Sequence, residues 1–405
     1  MKMKIAQPSG ADTAVKGWRD RVGAGLSDNV FPIGLFIVLT GMLWIGRHAL
    51  YSKLFYWFLL LPALLRIAVQ ARSLRPMFDS RIVVATVAFA CYMSSTLLWA
   101  AASDDAVSLL TRPIFVIILF YSVFELGRRR PEILRQVIKI SALVATVAAT
   151  LTLARFGMEG ANGRLAGYGA LFNPLLVSHV FGFFVAIWFG FYYSTDKLFE
   201  PISLFSILLC AVLLVATGSR TPLVAMVATI AWLSVLAPNR NAACVLGALL
   251  PLGAAIGFFA PDLVMQRGLS YRPEIWTDVL RQISERVWFG HGYGAPLKIQ
   301  LDGVSYPFSD PHNLTLAVFY AGGIVGLALW MALYGVALAE AWRLRQNKWV
   351  LVCSAAVIYG LAAGMTEGGS FFSRPKEHWF LIWIPLALLA AATYRGGANG
   401  KRTLA

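Results

Sequence analysis

The chain has 405 residues, of which 58% are hydrophobic and only 14% charged, with a mean hydropathy of +0.67. That balance excludes a soluble globular protein and points to an integral membrane protein. The formal charge of +15 does not indicate nucleic acid. The basic residues flank apolar runs instead of forming a separate basic domain with aromatic platforms, so anionic lipid headgroups are the expected partner.

In chain order, the first 29 residues are polar and carry Lys2, Lys4, Lys16, Arg19 and Arg21, with no apolar core of signal-peptide type. They read as a cytoplasmic tail, either disordered or folded as a short interfacial helix along Val15, Trp18, Val22 and Leu26. A hydrocarbon core about 30 Å thick needs roughly 20 apolar residues per helix. On that ruler twelve spans follow, near 30 to 46, 51 to 70, 82 to 101, 110 to 126, 134 to 155, 172 to 193, 201 to 217, 221 to 237, 242 to 260, 312 to 335, 349 to 366 and 376 to 394. The reading is an all-α polytopic membrane protein, with one transmembrane domain over 30–394 and a short cytoplasmic C-terminal tail over 395–405.

Alternate connections support this register. With both termini cytoplasmic, 22 of the 35 Lys and Arg fall inside and 13 outside, in the sense of the positive-inside rule. Five of the outer 13 lie in a single periplasmic loop, 261–311, the only large extramembrane piece. Within it Trp276, Val279, Leu280, Ile283 and Val287 recur at helical spacing, so an amphipathic helix is expected to begin near Pro273. The turn Phe289-Gly-His-Gly-Tyr-Gly294 follows. Cys91, Cys210, Cys244 and Cys353 sit singly in apolar runs and read as packing residues, with no metal-site or disulfide spacing.

Prolines favour the first helical turn, and several stand beside polar residues at outward-facing helix starts: Arg220-Thr-Pro222, Arg272-Pro273, Pro311-His312 and Arg374-Pro375. Helix N-termini attract anions, and the planar guanidinium can bind phosphate oxygens in pairs. Arg220 and Arg272 therefore read as phosphate or pyrophosphate ligands, with Arg267 in the same basic segment. Arg281, Arg286 and Lys298 read as interfacial residues whose charged ends reach the headgroups.

Among the five histidines, His48, His179, His291 and His378 read as structural. His312 differs, because it is expected in the first turn of a span between Asp310 and Asn313, beneath the arginine-bearing loop. A helix N-terminus and nearby cations disfavour imidazolium, which leaves a neutral base near pH 7; Asp310 opposes that shift or orients the ring. A base and several arginines, without an evident metal site or acid pair, suit glycosyl transfer from a lipid pyrophosphate. Such a leaving group needs its charge neutralised, not a carboxylic acid to protonate it.

At these residues the chain resembles the bacterial O-antigen ligase family, which shares its core with O-antigen polymerases. The matching pieces are Thr217 to Arg220, Arg272 to Trp276, Phe289 to Gly294, Pro311 to Leu314, and Gly322 to Gly326, together with Asn162 to Gly167 and Phe172 to Pro174. The resemblance implies a GT-C-like inner-membrane glycosyltransferase. Its reaction would transfer O-antigen from undecaprenyl pyrophosphate to lipid A-core at the periplasmic face, without metal or cofactor. It implies His312 as the base and Arg220 and Arg272, with Arg267, as pyrophosphate ligands; Asn313, Asp310, Arg164 and Arg374 would support them. Two alternatives remain: a polymerase using a second lipid-linked glycan as acceptor, and a transporter or flippase of an anionic lipid or solute. The second predicts charged residues along the middle of several spans.

Overall fold

The computed structural model describes residues 17–18, 21–101, 104–161, 163–195, 197–198, 200–259, 271–301 and 307–394, the side chains of 250–259 excepted. Its helices are α1 (Arg21–Trp44), α2 (His48–Val69), α3 (Arg81–Leu98), α4 (Ala106–Arg129), α5 (Pro131–Met158), α6 (Pro174–Tyr193), α7 (Pro201–Ala216) and α8 (Thr221–Leu236). They continue with α9 (Arg240–Phe259), α10 (Arg272–Glu285), α11 (Leu314–Arg343), α12 (Lys348–Gly364) and α13 (His378–Thr393). Seven of these, α1 to α6 and α11, are long and apolar enough to cross a membrane. Helices α7, α8, α12 and α13 are shorter apolar helices of 10–17 residues. Backbone groups in hydrocarbon must be satisfied within the chain, and helices do this without partners.

The local chemistry of the starts is legible. Asp105, Asn173, Glu200, Asn313 and Asn347 accept a backbone N–H at the beginnings of α4, α6, α7, α11 and α12. Prolines occupy the first turn of α5, α6, α7, α8 and α10. The interior helix is α6, apolar all round and almost wholly buried, and α12 and α8 pack along it. At Gly360 the backbone of α13 comes so close that a Cβ would stand 1.7 Å from the Leu381 carbonyl oxygen.

Helix α1 begins at Arg21, within the stretch expected to be a tail. Its polar residues have partners in the bundle: Ser27 Oγ accepts from Arg66 Nε at 2.9 Å and Asp28 Oδ1 from Arg129 Nε at 2.9 Å. A rule that counts apolar residues ends the span too early there.

Between α10 and α11 the chain builds a small second hydrophobic cluster. Ile275, Val279 and Ile283 of α10 pack with Leu297, Ile299 and Tyr320, and Ile299 pairs with Phe308 as an isolated antiparallel bridge. The expected amphipathic helix is present, starting one residue before Pro273. Its buried face is rotated by about one residue, since Leu280 is exposed and Ile275 is buried.

Helix α11 is broken where the loop meets it. Gly323 takes φ 62° and ψ −161° inside the helix, and the 287–292 turn docks into the break. His291 N–H donates to Tyr320 O at 2.8 Å, Gly292 N–H to Ala321 O at 2.9 Å, and Ile324 N–H to Val287 O at 2.8 Å. Gly290 (φ 69°) faces Gly323 so closely that a Cβ on Gly290 would lie 2.6 Å from Gly323 N. Two glycine-rich motifs far apart in sequence are therefore halves of one backbone junction.

Candidate functional site

The site forms where the α10–α11 loop, the start of α11 and the α12–α13 connection meet. Asn313 caps α11, its Oδ1 accepting Leu316 N–H at 3.0 Å. His312 consequently lies just before the helix, not in its first turn as the proline pattern suggests. It takes a positive φ of 48°, a conformation unusual for a residue with a Cβ. Asp310 holds that turn by accepting the His312 backbone N–H at 2.7 Å. Trp276 Nε1 donates to Pro311 O at 3.0 Å, which pins the turn to α10.

The ring of His312 is oriented by Glu367. Its Nδ1 stands 3.2 Å from Glu367 Oε2, and the other carboxylate oxygen, Oε1, accepts from Arg272 Nη2. A carboxylate only accepts, so Nδ1 carries the proton and Nε2 of neutral imidazole is left as the basic nitrogen. Burial alone would raise the Glu367 pKa, but the hydrogen bond and charge of His312 and the charge of Arg272 outweigh it and hold Glu367 below the ordinary range. His312 moves the other way. The hydrogen bond to Glu367, aided by the charges of Asp310 and Glu367, raises it despite burial and Arg272.

This corrects the electrostatic expectation for His312. The helix start and the cations do not dominate; a buried carboxylate does. Glu367 is 5% exposed and lies just after α12, within Met365-Thr-Glu-Gly-Gly369. The signal available in the sequence was a lone acid at the end of an apolar run, in a setting where a charge is expensive without a partner.

The α12–α13 connection also reaches Arg220. Thr366 Oγ1 donates to Thr221 Oγ1 at 3.0 Å, which places the Gly218-Ser-Arg220 turn beside the residue preceding Glu367. Arg220 is partly buried at the start of α8. Arg164 Nε donates to Thr217 O at 2.8 Å and so braces the same turn. Arg374 is exposed and sits near Tyr56; its neighbour Pro375 does not open a helix, since α13 starts at His378. Arg267 lies outside the described residues.

The other histidines have packing partners. His48 meets Phe172 edge-on at 6.4 Å between ring centroids. His291 stacks on Tyr320 at 4.4 Å, with Nε2 2.9 Å from Gln282 O. His378 Nδ1 is 2.8 Å from Glu377 Oε1, and the His179 and His378 ring centroids are 5.6 Å apart.

The assembled features are a histidine fixed by a carboxylate through one nitrogen and basic at the other, an arginine on the same carboxylate, and a second arginine turn against the same connection. This set can remove a proton from a hydroxyl beside an anionic group. Comparison with known proteins bears on the family. Residues 205–331 match the family model described as O-Antigen ligase. An O-antigen ligase of Pseudomonas aeruginosa is 45% identical over 367 residues, which span 90% of this chain and 91% of that protein.

Proposed function

This chain belongs to the O-antigen ligase family, and from that premise we propose that it transfers O-antigen from undecaprenyl pyrophosphate to lipid A-core at the periplasmic face of the bacterial inner membrane. Each apolar helix crosses the membrane once, giving twelve spans with both termini cytoplasmic, and α10 lies in the periplasmic loop. The observation that carries the reading is Glu367, which links His312 to Arg272.

In the reaction, His312 Nε2 takes the proton of the acceptor hydroxyl while that oxygen attacks the anomeric carbon of the donor sugar. The bond from that carbon to the pyrophosphate oxygen breaks, its electron pair leaves with undecaprenyl pyrophosphate, and the anomeric configuration inverts. Glu367 keeps the proton on Nδ1 and stabilises the imidazolium that forms, as a carboxylate does behind a catalytic histidine. Arg220 and Arg272, joined by Arg267, take up the charge on the leaving pyrophosphate, so the reaction needs no metal ion. Asp310 and Asn313 shape the His312 turn, Arg164 supports the Arg220 turn, and Arg374 is a further supporting cation.

The test is an assay of the purified protein with lipid-linked glycan and lipid A-core. Glycan joined to lipid A-core, in the presence of chelator as in its absence, is the expected result. His312→Ala should lower the rate by about 10³-fold, the scale of a lost general base. Longer glycan on undecaprenyl pyrophosphate would make the protein a polymerase. Movement of lipid-linked glycan across liposomes without a covalent product would make it a flippase.

A further inference from the structure

Next to the His312 turn lies a half-open cavity of about 310 Å³ that the pyrophosphate site does not use. Its wall includes Pro311, Gly369, Phe372, Tyr293, Tyr320 and Arg112. The volume is in the range that holds a small ligand. The wall combines aromatic carbon with a guanidinium, the combination that suits a sugar ring: apolar C–H faces against the aromatics, hydroxyls against the polar group.

The cavity has a fixed place relative to the chemistry, because one short run of chain borders both. Thr366 touches Thr221 of the arginine turn, and Glu367 holds Arg272 and His312. Two residues on, Gly369 packs on the Asp310–Pro311 turn, where a Cβ would stand 2.8 Å from Asp310 Oδ1. Phe372 O then accepts from Tyr293 Oη at 3.3 Å at the cavity wall. The run leads from the proposed pyrophosphate site, past the base, into the cavity. A hydroxyl presented from the cavity would enter beside the His312 turn, whose Pro311 lines the wall, and apart from the arginines; displacement at the anomeric carbon needs the entering oxygen opposite the leaving group.

The polar side of the cavity is prepared. Arg112, near the start of α4, is only 22% exposed at its side chain and is held by Asp104 at 2.6 Å. Tyr293, on the same wall, is fixed by its backbone N–H, which donates to Thr96 Oγ1 at 2.8 Å. Tyr320, which forms another part of the wall, is fixed by its hydroxyl to Pro296 O at 3.0 Å and by its stacking on His291. An acyl chain would gain nothing from a guanidinium in the wall, whereas a hydroxyl-rich ring would.

We propose that this cavity holds the terminal sugar of the acceptor glycan, with Arg112 and Tyr293 as the residues that position it, and so presents its hydroxyl to His312. The assignment rests on the glycosyl-transfer reading above. Its test uses purified full-length protein, with lipid-linked glycan and lipid A-core each titrated against a saturating amount of the other. Arg112→Gln removes the guanidinium, and Ser309→Trp places a ring at the exposed rim of the cavity. Both should raise the KM for lipid A-core about tenfold, the scale of one hydrogen bond to a charged group, while the KM for the lipid-linked donor stays within about twofold of wild type. Thermal unfolding in detergent identifies a variant that has simply misfolded, and the rim variant then decides. An unchanged acceptor KM in folded variants, or a rise in the donor KM instead, overturns the assignment. If the wild-type protein instead elongates lipid-linked glycan, the ligase reading fails on its own, and the same pair of KM values measured for that second glycan still decides what the cavity binds.

Discussion

Buried Glu125 and Glu367 both pair with arginine, and they differ in what the rest of the carboxylate does. Glu125, near the C-terminal end of α4, is fully buried. It accepts from Arg66 Nη2 at 3.1 Å and from Arg128 Nε and Nη2 at 3.0 and 2.8 Å, with Arg129 4.0 Å away. Arg66 and Arg129 also hold Ser27 and Asp28 of α1. This network ties α1, α2 and α4 together and uses its charges on one another. Glu367 gives one oxygen to Arg272 and the other to a histidine whose second nitrogen carries the base. At Glu125 every partner is a permanent cation and the cluster locks helices together, whereas at Glu367 one partner can change its proton, which the proposed reaction uses.

That contrast breaks first at Glu367. Glu367→Gln should lower the transfer rate by about 10²-fold, since the carboxylate no longer fixes the Nδ1–H tautomer or stabilises imidazolium. The pH dependence gives the more specific sign. The proposed reaction uses neutral His312, and Glu367 raises the His312 pKa, so the rate should fall as pH falls through that raised value. Without the carboxylate the pKa drops, and the acidic limb of the rate profile should move to lower pH. Asp310 and Arg272 remain in the variant with opposite influences, and neither replaces the hydrogen bond. A limb that stays in place would mean that His312 does not titrate in the reaction.

Glu125→Gln should behave in the opposite way. It leaves Arg66, with a side chain only 2% exposed, buried beside a neutral amide. Removing one partner of a buried pair costs about 3–5 kcal/mol. The expected outcome is a lower unfolding temperature in detergent with the acidic limb unmoved and the acceptor KM unchanged. A shift of the pH profile in this variant would show that the Glu125 network is coupled to His312.

The contrast also explains what could be read from the sequence. Apolar runs, most proline starts and the amphipathic loop segment are local, and they place most helix starts to within a few residues, with α1 the exception. The helix starts at Arg220 and Arg272 were visible for the same reason, since they rest on adjacent residues. Glu367 was not visible, because its meaning comes from His312 and Arg272, which precede it by 55 and 95 residues. The break at Gly323 was hidden inside a continuous apolar run, and only the docked Gly290 turn makes it necessary. His312 was placed inside the helix because Pro311 suggested a start there. The start is set instead by the Asn313 side chain.

Asn313 supplies the smallest and most discriminating effect. It was expected to support His312; its Oδ1 accepts Leu316 N–H and the residue is 8% exposed. Asn313→Ala should remove the cap of α11 at a cost of about 1 kcal/mol. Asn313→Asp keeps an acceptor oxygen and should restore most of that stability. If capping is its whole contribution, the pH profile of the alanine variant keeps its acidic limb and the aspartate variant recovers the rate along with the unfolding temperature. Recovery of stability without recovery of rate would mean that the Asn313 amide N–H₂ serves the reaction itself, and the site would then extend from the His312 turn onto the first residue of α11's cap.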